Sequence, residues 1–489
     1  MLNTTFSRIM NISPVQRQSM ISILWSLIFT VIGFLSTMYF AHALGAGVLG
    51  AYFLFITYLG ILNIFSDGGL NSATIKRISE GEDQSAFFTA YFAVRISLFL
   101  FLILGLKIFG NLFVDIDRSV MIFWLPLALF VYIFSDAITV GNGGLGKIGV
   151  TSTSTFIGNV SRVIVQIIAV ILGYRTGGLI GGFIMGVLVS GIFGWRFFEV
   201  SFARFNRKHL KSLFSFSFWM FLSSSGGLVF AYADTALIGH FLKNSDVGVY
   251  NVAFQFTGLV VLVSNALIAV LWPKISYGSK IGDIDLLEKS LTKSIIYSLI
   301  LAVPLLVGGW VLGDKMLLYF YGKEFSSGTY ALILLFPVRL VTIIASLLGT
   351  YIFAMDHPKE GFRIILLSAV TNIMLDWFFI PILGITGAAL ATLISMTLLV
   401  IIERHVLSQY MSVKMGVNNM NNILKASLVM GLFIVGYRFL MPLDNLLFMI
   451  PVIFGALIYF VLLLKMDKAI HDELQDIIQS AGLIWPKWL

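Results

Sequence analysis

Apolar residues in this chain come in uninterrupted blocks, and the length of those blocks constrains the fold more than any other feature. About 20 residues of α-helix cross the ~30 Å hydrocarbon core of a bilayer. A helix also satisfies its own backbone hydrogen bonds where no water is available. A soluble domain can bury one or two such segments, but not a chain made of little else. Only 11% of the residues are charged, against roughly a quarter in soluble domains. The expected fold class is therefore an all-α polytopic membrane protein.

Fourteen transmembrane helices are expected, near 20–42, 47–72, 85–109, 119–141, 149–173, 177–200, 212–240, 246–271, 288–313, 327–355, 361–382, 384–405, 422–441 and 445–466. The first apolar stretch follows Arg8 and Arg17 and ends in Ala41-His42-Ala43, which imitates a signal-peptide cleavage site. It is too long for a typical signal core and has a counterpart later in the chain, so it reads as a retained span. After the last span, Lys468 to Leu489 suits a short interfacial amphipathic helix ending in Trp485-Pro486-Lys487-Trp488, or an equally acceptable frayed tail.

The net charge of +8 is a matter of sidedness rather than of nucleic-acid binding. With the N-terminus inside, twenty-two of the 32 Lys and Arg residues fall on the cytoplasmic side and seven outside. That asymmetry places both termini in the cytoplasm of a multi-pass cell-membrane protein. The densest basic loop, Arg204 to Lys211, serves topology on this reading. The three remaining cations, Arg95, Arg162 and Arg339, lie inside spans.

Several chemistries are excluded. With no cysteine, there is no disulfide, thiol nucleophile or cysteine metal site. The six histidines show no ligand spacing, and no glycine-rich stretch ends in Gly-Lys-Ser/Thr as a nucleotide loop would. No cofactor is expected beyond H⁺ or Na⁺ as a coupling ion. Neither nucleic acid nor nucleotide is expected as a partner.

The chain also repeats itself. Shifted by 198 positions, Thr37, His42, Leu44, Gly50, Tyr52, Gly60, Ser66 and Lys76 fall on Thr235, His240, Leu242, Gly248, Tyr250, Gly258, Ser264 and Lys274 without a gap. The offset covers six spans, an even number, so the repeats are parallel and related by an axis along the membrane normal. Two pseudo-symmetric six-helix bundles are expected, 1–203 and 204–411, followed by two additional spans and an interfacial tail in 412–489. Such repeats favour transport over membrane-embedded catalysis, so the protein is expected not to be an enzyme.

Ordered motifs then carry a family resemblance. Leu44-Gly45, Gly50-Ala51-Tyr52, Asp67-Gly68-Gly69-Leu70 and Lys76-Arg77 come first. Tyr321-Gly322-Lys323-Glu324-Phe325, Ala354-Met355-Asp356-His357-Pro358-Lys359 and Asn372-Ile373-Met374-Leu375-Asp376 follow. Ile380-Pro381 and Gly384-Ile385-Thr386-Gly387-Ala388-Ala389-Leu390-Ala391-Thr392 complete the set. The chain resembles the Wzx-type polysaccharide and O-antigen flippases of the MOP superfamily, which also holds the lipid II flippases and the MATE exporters. The resemblance implies a V-shaped pair of bundles opening alternately to each side. It implies an oligosaccharide on a polyprenyl phosphate or pyrophosphate as substrate, membrane lipids as partners and a monomer. Unlike the lipid II branch, the first span carries no cation between Met20 and His42.

Charges at mid-bilayer cost about 2.5–3.5 kcal/mol even on the gentlest scale, which makes them functional candidates. Arg95 and Arg162 lie about eleven residues into their spans, ~16 Å deep, and Arg339 is similarly central. Ser152, Thr155, Asn159, Arg162 and Gln166 share one helical face, as a cavity wall or as helix–helix hydrogen-bonding residues. In the eighth span, Asn251, Gln255, Gly258 and Asn265 share a face, and the last three match Thr57, Gly60 and Asp67 through the repeat. These residues are the candidate substrate-binding set, with the three arginines on the carrier phosphate. Asp234 is the candidate for a coupling ion. Asp136 and Asp376 read rather as ion-pair or interfacial residues. Two alternatives compete with a flippase. One is a MATE-type cation-coupled exporter of small molecules. The other is a membrane glycosyltransferase or polymerase, against which the short loops and the lack of a close carboxylate pair in them argue.

Overall fold

In the computed structural model, the described residues are 14–109, 123–261, 277–413, 416–441 and 445–480, with residues 268, 271 and 275. Their regular structure is helical throughout, and eleven of the helices are long and apolar enough to cross a membrane. The first of these joins two expected spans: α1 runs Pro14–Asp67 and is interrupted at Gly45, whose φ of 77° a side chain would strain. α1 ends in a Gly68-Gly69 turn, and a short helix α2, Leu70–Ser79, follows where the sequence reads as one continuous span to residue 72. Next come α3 (Gln84–Phe109), α4 (Leu125–Gly144), α5 (Ile148–Ile171) and α6 (Thr176–Trp195). Pro126 in the first turn suits the start of α4, since its missing N–H would be unpaired there anyway. α7 (Arg207–Phe241) opens on a capping box in which the Asn206 side chain accepts from backbone N–H groups and His209 reaches back. α8 is Asn244–Thr257.

By contacts the chain divides into two compact units, Met1–Asn251 and Val252–Leu489. In the first, α1, α3, α4 and α6 enclose a core of Phe55, Leu59, Phe99, Leu129, Ile133 and Ile180. α5 and α6 pack most closely, because Gly186 lets the Arg162 Cβ approach to 2.6 Å of where a side chain would begin. α7 and the first half of α8, up to Asn251, join this unit by similarly close crossings. A Cβ on Gly50 would collide with the Asn244 carbonyl, and one on Gly248 with the Ala46 carbonyl. Gly50 and Gly248 are the same position in the two repeats, so equivalent backbones cross each other at equivalent glycines.

The second unit contains α9 (Ile284–Tyr321), α10 (Thr329–Ala354), α11 (Pro358–Leu383), α12 (Ile385–Leu407), α13 (Val417–Leu440), α14 (Met449–Met466) and α15 (Lys468–Ser480). α12 packs on both α10 and α11, where Asn372 donates to Thr392 Oγ1 at 3.4 Å and Asp376 is fully buried. α13 packs on α9, and the Tyr459 hydroxyl of α14 donates to the Ile300 carbonyl at 2.6 Å. A short helix follows the last span as expected, α15, while Trp485 to Trp488 lie outside the described residues.

Candidate functional site: a charged cavity between α4, α5 and α6

The three buried arginines have different surroundings. Arg95, on α3, is fully buried. Its Nη2 donates to Asp136 Oδ2 at 3.1 Å and to Asn63 Oδ1 at 3.3 Å, and its Nη1 lies 3.6 Å from Asp67 Oδ1. The Asn71 amide also donates to Asp136 at 3.2 Å, and the Tyr91 hydroxyl donates to Asn71 at 2.7 Å. Asp67 accepts from the backbone N–H groups of Gly69 and Asn71, so its carboxylate also caps the start of α2. Two carboxylates therefore compensate one buried cation. Arg95, a candidate for the carrier phosphate, is thus ion-paired within its own bundle.

Arg339, on α10, is held by its own unit. Its Nε donates to Thr257 Oγ1 at 3.0 Å and its Nη2 to the Phe254 carbonyl at 2.9 Å. The guanidinium also sits 3.7 Å from the centre of the Phe254 ring, a cation–π distance.

Arg162, on α5, is different. It lines a cavity of about 310 Å³ between α4, α5 and α6. Its buried Nε has no hydrogen-bond partner among the described residues, and its guanidinium lies 5.2 Å from the centre of the Phe29 ring. Thr155 and Asn159 of the same helix face line this cavity, with Ser135, Asp136 and Thr139 from α4 and Ser190 from α6. Asp136 thus has two faces: one oxygen is tied to Arg95 and Asn71, and the residue borders the cavity with its side chain 21% exposed. A guanidinium with spare donors, among hydroxyls and an amide in a concave site, can grip an anionic oxygen and orient its substituents.

The other candidates are placed as follows. Gln166 turns into the α5–α6 contact, donating to the Leu179 carbonyl at 2.8 Å and the Tyr52 hydroxyl at 3.1 Å, so the sequence stripe splits into a cavity part and a packing part. Asn251 donates to Thr235 Oγ1 at 3.2 Å and to the Val247 carbonyl at 3.0 Å. Gln255 is exposed. Asp234 is buried and accepts a hydrogen bond from the Tyr250 hydroxyl. Asn265 lies outside the described residues. Neither Arg95 nor Asp67 lines the α4–α6 cavity. The residue undervalued by sequence is Asp136, whose ion pair was legible as a category but whose partner, 41 positions away, was not.

Membrane-length helices, three of which enclose a charged cavity, define a multi-pass membrane protein. Residues 16–279 match the family described as polysaccharide biosynthesis proteins, and the chain belongs to that family. It is 29% identical over 431 residues to the probable low-salt glycan biosynthesis flippase Agl15 of Haloferax volcanii, covering 87% of this chain and 90% of that one. The putative O-antigen transporter of Shigella flexneri is 22% identical, over 74% of this chain and 90% of its own length. Among solved structures, a lipid II flippase MurJ in an inward closed conformation superposes with a TM-score of 0.77 at 18% identity, over 91% of this chain and 98% of that one. A multidrug resistance MATE family transporter of the MOP superfamily gives 0.62 at 13%, over 78% and 95%. At such identities these two structures establish a shared fold, not a shared substrate.

Proposed function

We propose that this protein is a flippase that carries an oligosaccharide on a polyprenyl phosphate or pyrophosphate across the membrane by alternating access, for polysaccharide or glycan synthesis. The observation that carries the reading is the spare guanidinium of Arg162 in a hydroxyl- and amide-lined cavity, in a chain of the polysaccharide biosynthesis family. Buried arginine stays protonated and grips phosphate oxygens in a bidentate manner, so headgroup and cation offset each other's desolvation. The glycan would occupy the polar cavity while the polyprenyl tail stays in lipid. A cationic drug, the cargo of an exporter reading, gains nothing from an arginine with spare donors.

The accompanying architecture is fourteen spans in two repeats, 1–203 and 204–411, with two more spans in 412–489, both termini cytoplasmic and the protein acting as a monomer. Asp234, held by Tyr250, is the proposed site of a coupling H⁺ or Na⁺. Mass spectrometry of lipids that co-purify with the protein tests the substrate: a glycosylated polyprenyl phosphate should be retained by the wild type and lost from Arg162→Ala. Retention of no such lipid, together with no flipping in proteoliposomes, overturns the reading. The chain has no native cysteine, so single-cysteine labelling tests the topology. An impermeant reagent should reach Asn244→Cys from outside and not Lys208→Cys, both exposed positions.

A further inference from the structure

The α4–α6 cavity does not end at its cation. A second cavity of about 290 Å³ adjoins it and shares Thr139, Thr155 and Asn159 as lining. Its walls come from the first half of α1 and from α4 and α5, and its character differs, because none of the described residues lining it is charged. Trp25 and Phe156 line it as a stacked pair, with ring centres 4.1 Å apart and planes inclined by 18°. The Trp25 indole N–H donates to Thr153 Oγ1 at 3.2 Å, which fixes the orientation of the ring. Ser22, Ser26, Ser152 and Asn159 also line the cavity, and their side chains make no hydrogen bond to any described residue.

Fixed aromatic rings beside unspent hydroxyls and an amide make a selective combination. Among the described lining residues a phosphate would find no cation, and a metal ion no carboxylate. A polyprenyl tail would leave four polar side chains without partners. A pyranose ring matches both features, since its faces carry C–H groups and its rim carries hydroxyls that donate and accept. Asn159 lies one helical turn from Arg162 and borders both cavities, so a phosphate at Arg162 and the sugar attached to it would occupy adjoining space.

We propose that the Trp25–Phe156 cavity is the subsite for the sugar next to the carrier phosphate, and that it lets the protein distinguish a glycosylated carrier from the bare lipid. This rests on the flippase reading and adds to it the residues that recognise the glycan. Full-length protein in nanodiscs tests it with polyprenyl phosphate bearing one glucose, one galactose or one N-acetylglucosamine, against the same lipid bare. The wild type should bind at least one glycosylated probe about tenfold more tightly than the bare lipid, a difference of about 1.4 kcal/mol. Trp25→Leu should bring that ratio to within about twofold of unity while leaving affinity for the bare lipid unchanged, and Trp25→Phe, which keeps an aromatic face, should retain most of it. If Trp25→Leu does not fold, the double variant Ser22→Ala, Ser152→Ala keeps the stack and should also collapse the ratio. A wild-type ratio near one for all three sugars overturns the subsite, as does a ratio unchanged in the variants. Binding of the bare lipid then leaves the flippase reading standing, whereas failure to bind any probe removes both.

Discussion

Arg95, on α3, and Arg162, on α5, sit in the same unit, and they show two ways of keeping a cation inside a membrane protein. Arg95 has no exposed surface and is closed off by Asp136, Asp67 and Asn63. Arg162 borders open space and, although an unpartnered Nε is common to both arginines, it alone of the two pairs with no carboxylate among the described residues. Depth alone does not separate the two, since both are central in apolar helices. What separates them is where the spare donors point. A cation whose charge is already neutralised has little left to offer a ligand, and its contribution is to hold α1, α3 and α4 in register. An uncompensated one at a cavity keeps an electrostatic need that a ligand can fill.

The comparison breaks most readily at Arg95. Arg95→Ala leaves Asp136 and Asp67 as like charges without their shared cation, and removing one partner of a buried pair costs about 3–5 kcal/mol. The expected outcome is a large fall in folded yield and in thermal midpoint, read by fluorescence-detected size exclusion after heating. Adding Asp136→Asn removes one of the stranded charges and should recover a substantial part of the loss, because contacting residues are not additive. If Arg95→Ala instead folds like the wild type and only loses transport, Arg95 belongs with Arg162 and the distinction fails.

This contrast also marks how far the sequence was legible. Apolar block length gave the helical class, because a membrane span is a local property of about 20 residues. The stripe Thr155, Asn159, Arg162 was legible for a similar reason: one helix fixes which residues share its face. Its continuation to Gln166 failed because the neighbouring α6 closes over that turn and takes the amide, which is a matter of packing between helices. The Arg95 partners were hidden for the same reason, lying on α1 and α4 rather than on its own helix. The repeat identified Gly50 and Gly248 as equivalents, but not that their backbones cross.

Arg339 sharpens the comparison from the second unit. Among the described residues its Nε and Nη2 donate to a hydroxyl and a carbonyl, neither of which becomes an unpaired charge when the arginine is removed. Hydrogen bonds to charged groups contribute about 1.5–3 kcal/mol. Arg339→Ala should therefore cost a moderate amount of thermal stability, less than Arg95→Ala, with co-purifying glycolipid largely retained by the folded fraction. Loss of that lipid at unchanged stability would move Arg339 to the substrate side.

Arg162→Lys carries the smallest expected effect on stability and tests the geometry most finely. Arg162 forms no ion pair among the described residues, so lysine at this position breaks none, and thermal stability should stay within about 0.5 kcal/mol of wild type, as for substitutions away from paired or packed groups. Charge is kept as well. What changes is shape, because a planar fork with five donors becomes a compact ammonium on a flexible stem. If the cavity grips a phosphate in a bidentate manner, retention of the glycosylated polyprenyl phosphate should fall roughly tenfold, the 1.4 kcal/mol scale of one charge-assisted hydrogen bond. Arg162→Gln, which keeps hydrogen bonding but not charge, should fall further. Equal retention in Arg162→Lys and wild type would show that charge alone suffices, and equal retention in Arg162→Gln would show that Arg162, like Arg95, serves the fold rather than the substrate.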